Sequence, residues 1–147
     1  MLDAAAAQRT LDASAFGPWW GFEVESVQAG RARVRLPARP ELFRPGGVLQ
    51  GGCAMTLADV AFWVAIMATV EGGEDAVTLE QTSAFLGAAR TDLVCEAALL
   101  RTGRTVLYGT AEVRDTADEL VTHHTLTYLR PPTPARREGP ASHAVAS

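Results

Sequence analysis

The sequence predicts an α+β domain in which a six-stranded antiparallel sheet wraps around one long central helix, and three observations lead there. From Cys53 to Glu71 only Thr56, Asp59 and Thr69 interrupt an apolar run, and a helix with that make-up is one buried on every side. Two stretches before it and four after it carry the alternation of a strand. The links between these stretches are short, which favours antiparallel neighbours. A single sheet buries such a helix only by curling around it.

Taken in order, the alanine-rich segment through Phe16 reads as a short peripheral helix, residues 1–16, with Leu2, Leu11 and Phe16 as docking residues. Phe22 to Val27 and Ala32 to Leu36 form a hairpin broken at Ala29-Gly30, and its glutamates and arginines are placed to pair across strands. Pro37, Pro40 and Pro45 hold the chain out of regular structure up to the glycines that precede the helix. Ala54, Ala58, Ala61, Ala65 and Ala68 line one helix face and allow a close approach to a neighbouring backbone. Gly72-Gly73 supplies the left-handed residue expected past the helix end. Strands follow at Ala76 to Leu86, Asp92 to Arg101, Thr105 to Arg114 and Leu120 to Leu129. Residues 1–130 thus make one domain, and the proline-rich end, 131–147, reads as a disordered tail. Trp19, Trp20, Phe62 and Trp63 read as core.

Composition removes several function classes. A net charge of -4 gives no general attraction to nucleic acid or to an anionic membrane. All 13 basic side chains are arginine, so neither Schiff-base chemistry nor a P-loop lysine is available. Cys53 and Cys95 are far apart and show no metal-ligand spacing, and no metal is expected. His123 and His124 are adjacent on a strand and point to opposite faces, which disfavours joint ligation. The longest apolar run, Val60 to Ala68, is too short to span a bilayer, and a cytoplasmic protein is the simplest reading.

Asp59 is the residue out of place, because a carboxylate among apolar groups is costly unless it is compensated, protonated or functional. The N–H groups of Gly51 and Gly52 open the same helix, where unpaired donors and the positive end of the dipole stabilise an oxyanion. Gly51 and Asp59 are eight positions apart, about 12 Å along a helix. One helix cannot present both to one carbonyl carbon, whereas two helices paired antiparallel can, so the spacing predicts a homodimer with a shared site.

The run Gly-Gly-Val-Leu-Gln-Gly-Gly from Gly46, the Leu-Ala-Asp-x-Ala from Leu57, Val77-Thr78 and Phe85-Leu86-Gly87-Ala88-Ala89 resemble the hotdog-fold acyl-CoA thioesterases of the phenylacetate-pathway type. The resemblance runs from about Phe22 to Leu129. It implies Asp59 as the catalytic carboxylate, Gly51 as the oxyanion-binding glycine, Thr78 as the hydroxyl near the attacking water, and a basic turn at Gly103-Arg104. Gln50 stands where that family usually has histidine, and Arg44 where it has asparagine. Glutamine still donates to a thioester carbonyl but does not titrate. Gly52, Trp63, Leu86, Gly87, Ala88, Arg90 and Arg104 complete the implied substrate-binding set, with Trp63 lining an acyl pocket and Arg90 and Arg104 near coenzyme A phosphates. The resemblance implies an acyl-CoA substrate with an aromatic, short or medium-chain acyl group. Coenzyme A enters as part of the substrate, no further cofactor is expected, and the dimer can pair into a tetramer. The altered Gln50 and Arg44 motivate an alternative, a non-catalytic protein that binds acyl-CoA or an acyl ligand. A hotdog hydratase is a third reading, disfavoured by the missing histidine.

Overall fold

A computed structural model describes residues 2–130; the tail assigned to 131–147 lies outside the described residues. Ten residues, Ala4–Ala13, form α1, with the Asp3 side chain accepting from the Ala6 N–H at 2.8 Å as its N-cap. A second short helix, α2 (Phe16–Trp20), follows where the sequence suggested one helix ending at Phe16. Strands β1 (Glu23–Gln28) and β2 (Arg31–Leu36) make the expected hairpin. Arg35 Nε lies 2.9 Å from Glu25, and Arg33 bridges to Glu96 at 2.7 Å on the sheet's outer face. A two-stranded ribbon of β3 (Phe43–Arg44) and β4 (Val48–Leu49) occupies the region where prolines suggested irregular chain. Trp19 is 59% exposed rather than core, because α2 rides on the surface and the Arg39 guanidinium covers the ring at 4.7 Å.

The central helix, α3, spans Gly51–Met67. It begins two residues earlier than the apolar run suggested, because the glycines themselves are helical, and its regular part ends earlier. The Thr69 and Val70 N–H groups both turn back to the Ile66 carbonyl, and the left-handed residue is Gly72, at φ 71°. All five stripe alanines are buried. Close seating on the sheet also depends on Gly109, where a Cβ would stand 2.0 Å from the Ala98 carbonyl oxygen and 2.5 Å from Phe62 Cε2.

After the helix come β5 (Val77–Phe85), β6 (Leu93–Thr102), β7 (Val106–Arg114) and β8 (Leu120–Leu129). Their sheet has the order β1-β2-β6-β7-β8-β5, with every pairing antiparallel. The short link from β5 to β6 had suggested that these two are neighbours. Instead β5 crosses to the far edge and pairs with β8. Three strand spacings amount to roughly 14 Å, and a seven-residue extended link reaches roughly 23 Å, so the crossing is within the chain's reach.

The helix is not buried on every side. Met55 is exposed, and Thr56, Asp59 and Trp63 are half-buried. At spacings of three and four these residues form one stripe, and it lies beside the open edge strand β5.

Candidate active site

Asp59 comes from the middle of α3, and two strand hydroxyls meet it. Thr78 on β5 and Tyr128 on β8 are directly opposite each other across the sheet. The Thr78 hydroxyl donates to Asp59 Oδ1 at 2.8 Å and the Tyr128 hydroxyl donates to the same oxygen at 2.6 Å. Tyr128 also approaches the Asp59 carbonyl oxygen at 3.0 Å. A bulge between Thr78 and Glu80 shifts the register just past this point, and Leu79 within it is exposed. The two donors supply the compensation that a carboxylate among apolar groups requires. They engage one oxygen only, and Oδ2 has no partner among the described residues. Burial, then the charge and hydrogen bond of Asp59, push the Tyr128 phenol above its ordinary range, so it stays a proton donor to the carboxylate.

This group opens onto a cavity of about 310 Å³ walled by Phe16, Val60, Trp63, Ala76 and Val77. Trp63 is steadied by its indole N–H, which donates to the Glu74 carbonyl at 3.3 Å. Phe16, which the sequence marked only as a docking residue, packs its ring 6.5 Å from that of Trp63.

The helix entrance is built separately. Gln50 is the N-cap, its own N–H bound to the Leu42 carbonyl at 2.9 Å, and the Leu49 N–H is tied to Ala89 at 2.7 Å. The Cys53 N–H turns back to Gln50, and the N–H groups of Gly51 and Gly52 have no acceptor among the described residues. These are the unpaired donors that a helix start provides. Gln50 folds over the first turn, so close that a Cβ on Gly52 would stand 2.6 Å from its Oε1. A second cavity, about 160 Å³, lies here, bordered by Arg44, Gln50, Gly51, Phe85, Gly87 and Thr122 among others.

The structure therefore brings Asp59, Thr78 and Trp63 together, and separately Gln50, Gly51, Arg44 and Gly87. The two cavities share no residue. Arg90 reaches the Gly47 carbonyl at 3.3 Å, near the second cavity. Leu86 is 60% exposed, Ala88 is exposed, and Arg104 lies in the β6–β7 turn; none of the three borders either cavity. Cys53 is buried, and burial pushes its thiol up. His123 lies 3.7 Å from Glu112 on the outer face while His124 is fully buried, the opposite orientations that adjacency on a strand requires. Tyr128 had been passed over. Its one sequence signal is a polar tip at an inward position of a strand whose other inward residues include apolar Leu126.

Comparison with known proteins identifies the family and the fold. Residues 46–122 match the family described as the thioesterase superfamily, a span that includes the helix entrance, Asp59 and Thr78. A Halobacterium salinarum protein named as a candidate esterase is 32% identical over 125 residues, covering 78% of this chain and 82% of its own. A 1,4-dihydroxy-2-naphthoyl-CoA hydrolase of Listeria monocytogenes is 26% identical over 102 residues, covering 69% of this chain and 83% of its own. Among solved structures, a conserved Pseudomonas aeruginosa protein superposes with a TM-score of 0.76 at 33% identity, covering 84% of this chain and 98% of that one. The curled sheet around α3 is the hotdog arrangement, and the chain belongs to the thioesterase superfamily.

Proposed function

We propose that the protein hydrolyses an acyl-CoA thioester, as an enzyme of the phenylacetate-pathway type, at a site shared between two copies. The observation that carries this reading is the Asp59 carboxylate, with one oxygen fixed by Thr78 and Tyr128 and the other free beside a cavity. The Gly51 N–H, helped by Gln50, polarises the thioester carbonyl. Asp59 of the other copy attacks the carbonyl carbon or takes a proton from water that attacks it, and Thr78 positions that water or the carboxylate. With Asp59 as base, the C–O bond forms from water, the C–S bond breaks and the proton passes through Asp59 to the departing thiolate. With Asp59 as nucleophile, C–S cleavage leaves a mixed anhydride that water then hydrolyses, restoring the carboxylate and supplying the thiolate's proton. Either route ends in free acid and coenzyme A. Arg44 borders the Gly51 cavity and Arg90 lies beside Gly47 near it, and in this reading their guanidinium groups pair with the phosphates of coenzyme A.

A shared site is supported by two features of the single chain. Asp59 and Gly51 border separate cavities, so neither is complete alone. The edge strand β5 exposes Val77, Leu79 and Phe85 beside the open helix stripe. A long apolar edge is a liability unless another copy covers it.

Asp59→Asn tests the reading. A panel of acyl-CoA thioesters is expected to identify a substrate of the wild type, on which the variant loses about 10³-fold in kcat while its dimer stays folded. Undiminished turnover would sink the assignment. Saturable binding of acyl-CoA with no turnover by the wild type would favour the non-catalytic binding protein to which Gln50 and Arg44 otherwise point.

A further inference from the structure

The edge strand β5 turns polar residues toward an apolar helix. Thr78, Gln81 and Ser83 stand opposite Tyr128, Leu126 and His124 of β8, all three of them buried, and residues directly opposite share a face of the sheet. An inward face of this kind calls for apolar side chains, so each polar group on it needs a partner. Thr78 has Asp59, and Ser83 lies 2.7 Å from the His124 ring. Gln81 borders neither cavity. Its side-chain amide instead donates to the Met55 carbonyl of α3 at 3.1 Å.

Met55 is four residues before Asp59, and in an α-helix its carbonyl accepts from the Asp59 N–H. Gln81 therefore holds the same turn of α3 that carries the carboxylate. Among the described residues, this bond and the one from Thr78 to Asp59 are the two side-chain hydrogen bonds that join β5 to α3. Their spacing is matched on the two elements. Met55 and Asp59 are about 6 Å apart along the helix axis. Thr78 and Gln81 are three residues apart, which in a regular strand puts them on opposite faces. The bulge between Thr78 and Glu80 absorbs one residue, so the partners of Thr78 and Gln81 are Tyr128 and Leu126, two apart. Both side chains then face the helix, separated by about 7 Å. The bulge thus brings two donors of β5 into step with one turn of α3.

We propose that Gln81 is a positioning residue. As an edge strand, β5 is paired with β8 alone in the sheet, and the Gln81 bond fixes its distance from the Asp59 turn. That keeps the Thr78 hydroxyl on Asp59 Oδ1 and so sets the direction of the carboxylate. The proposal rests on the reading of Asp59 as the acting group. Because Gln81 borders neither cavity, its effect falls on the chemical step rather than on substrate affinity.

Gln81→Met keeps the length of the side chain and removes the donor. On an acyl-CoA that the wild type hydrolyses, this variant is expected to lower kcat about tenfold with KM unchanged, its dimer intact by native mass spectrometry. Gln81→Asn, whose amide is one methylene too short to reach Met55, is expected to do the same. In a Thr78→Val background Gln81→Met should lower kcat no further, which separates positioning from a general loosening of the fold. An undiminished kcat, a loss carried by KM, an equal further loss in the Thr78→Val background, or loss of the dimer in both variants overturns the proposal. If the wild type hydrolyses no acyl-CoA, the hydrolytic reading fails by itself, and the crystal structure of Gln81→Met decides on Gln81. The Thr78 hydroxyl is expected to have left hydrogen-bond distance of Asp59, and a bond retained at 2.8 Å overturns the proposal.

Discussion

At the scale of single residues, the site is a carboxylate held by hydroxyls. Tyr128 borders the cavity and donates to Asp59 Oδ1, which fixes which oxygen is free. Tyr128→Phe is expected to lower kcat about tenfold to a hundredfold with little change in KM, since it loosens the orientation of the carboxylate proposed to act in the transition state. An equal loss in both variants of a Tyr128→Phe and Thr78→Val pair, with the double variant no worse than either, would show the two hydroxyls acting as one clamp; steady-state kinetics on all three measures it. Sequence reasoning reached Asp59 and Thr78 but missed Tyr128, because residues 59 and 128 meet only once the last strand has closed under the helix. His124 adds a stability prediction. Burial, with His123 beside it, lowers its pKa from 6.5 to about 4, and its contacts Ser83, Gln81 and Thr122 are uncharged. Below pH 6.5 the unfolded chain holds a proton that the folded chain excludes. Stability from this group is thus complete above pH 6.5 and declines down to about pH 4, by up to about 3 kcal/mol. Urea unfolding at fixed protein concentration, at pH 7.5 and 4.5, should show a larger loss on acidification for the wild type than for His124→Gln.

At the scale of elements, the contact between α3 and the sheet decides where Asp59 sits. The alanine stripe was legible in the sequence because its spacing alone places five small residues on one face. Its counterpart was not: Gly109 reads as an ordinary strand interruption until Phe62 and the Ala98 carbonyl are seen to fill the space where a side chain would be. Gly109→Ala places a carbon where backbone already stands, and relief requires α3 or β6 to move. A cost of about 3 kcal/mol is expected, visible in thermal unfolding as a Tm lower by about 10 °C; an unchanged Tm would mean that the helix is not seated as described. The path of β5 was illegible for a related reason. Short links favour adjacent strands, but reach permits the crossing, and only the pairing partners of β8 fix which edge β5 takes.

At the scale of the whole molecule, apolar composition could not reveal that one face of α3 lies open, because Met55 and Trp63 look alike in sequence whether they face their own sheet or another copy. The open stripe, the apolar β5 edge and the separation of Gly51 from Asp59 all ask for the same second copy, and complementation between two disabled variants puts that to the test. Asp59→Asn removes the acid and leaves the helix entrance intact. Gly51→Pro does the reverse. Position 51 is the first residue of α3, where proline is favoured and only the N–H is lost, and Gln50 before it already has the extended ψ of 135° that a following proline requires. The nearest obstacle is the exposed Phe85 ring, 3.1 Å from the Cβ position, which has room to turn. Each variant alone is expected to be nearly inactive. In an equimolar mixture that exchanges subunits freely, half of the dimers are mixed, and each mixed dimer has one site with both groups intact. Hydrolysis should therefore recover to about one quarter of the wild-type rate. No recovery, in a mixture shown by native mass spectrometry to contain mixed dimers, would place both groups in one chain's own site and overturn the shared arrangement.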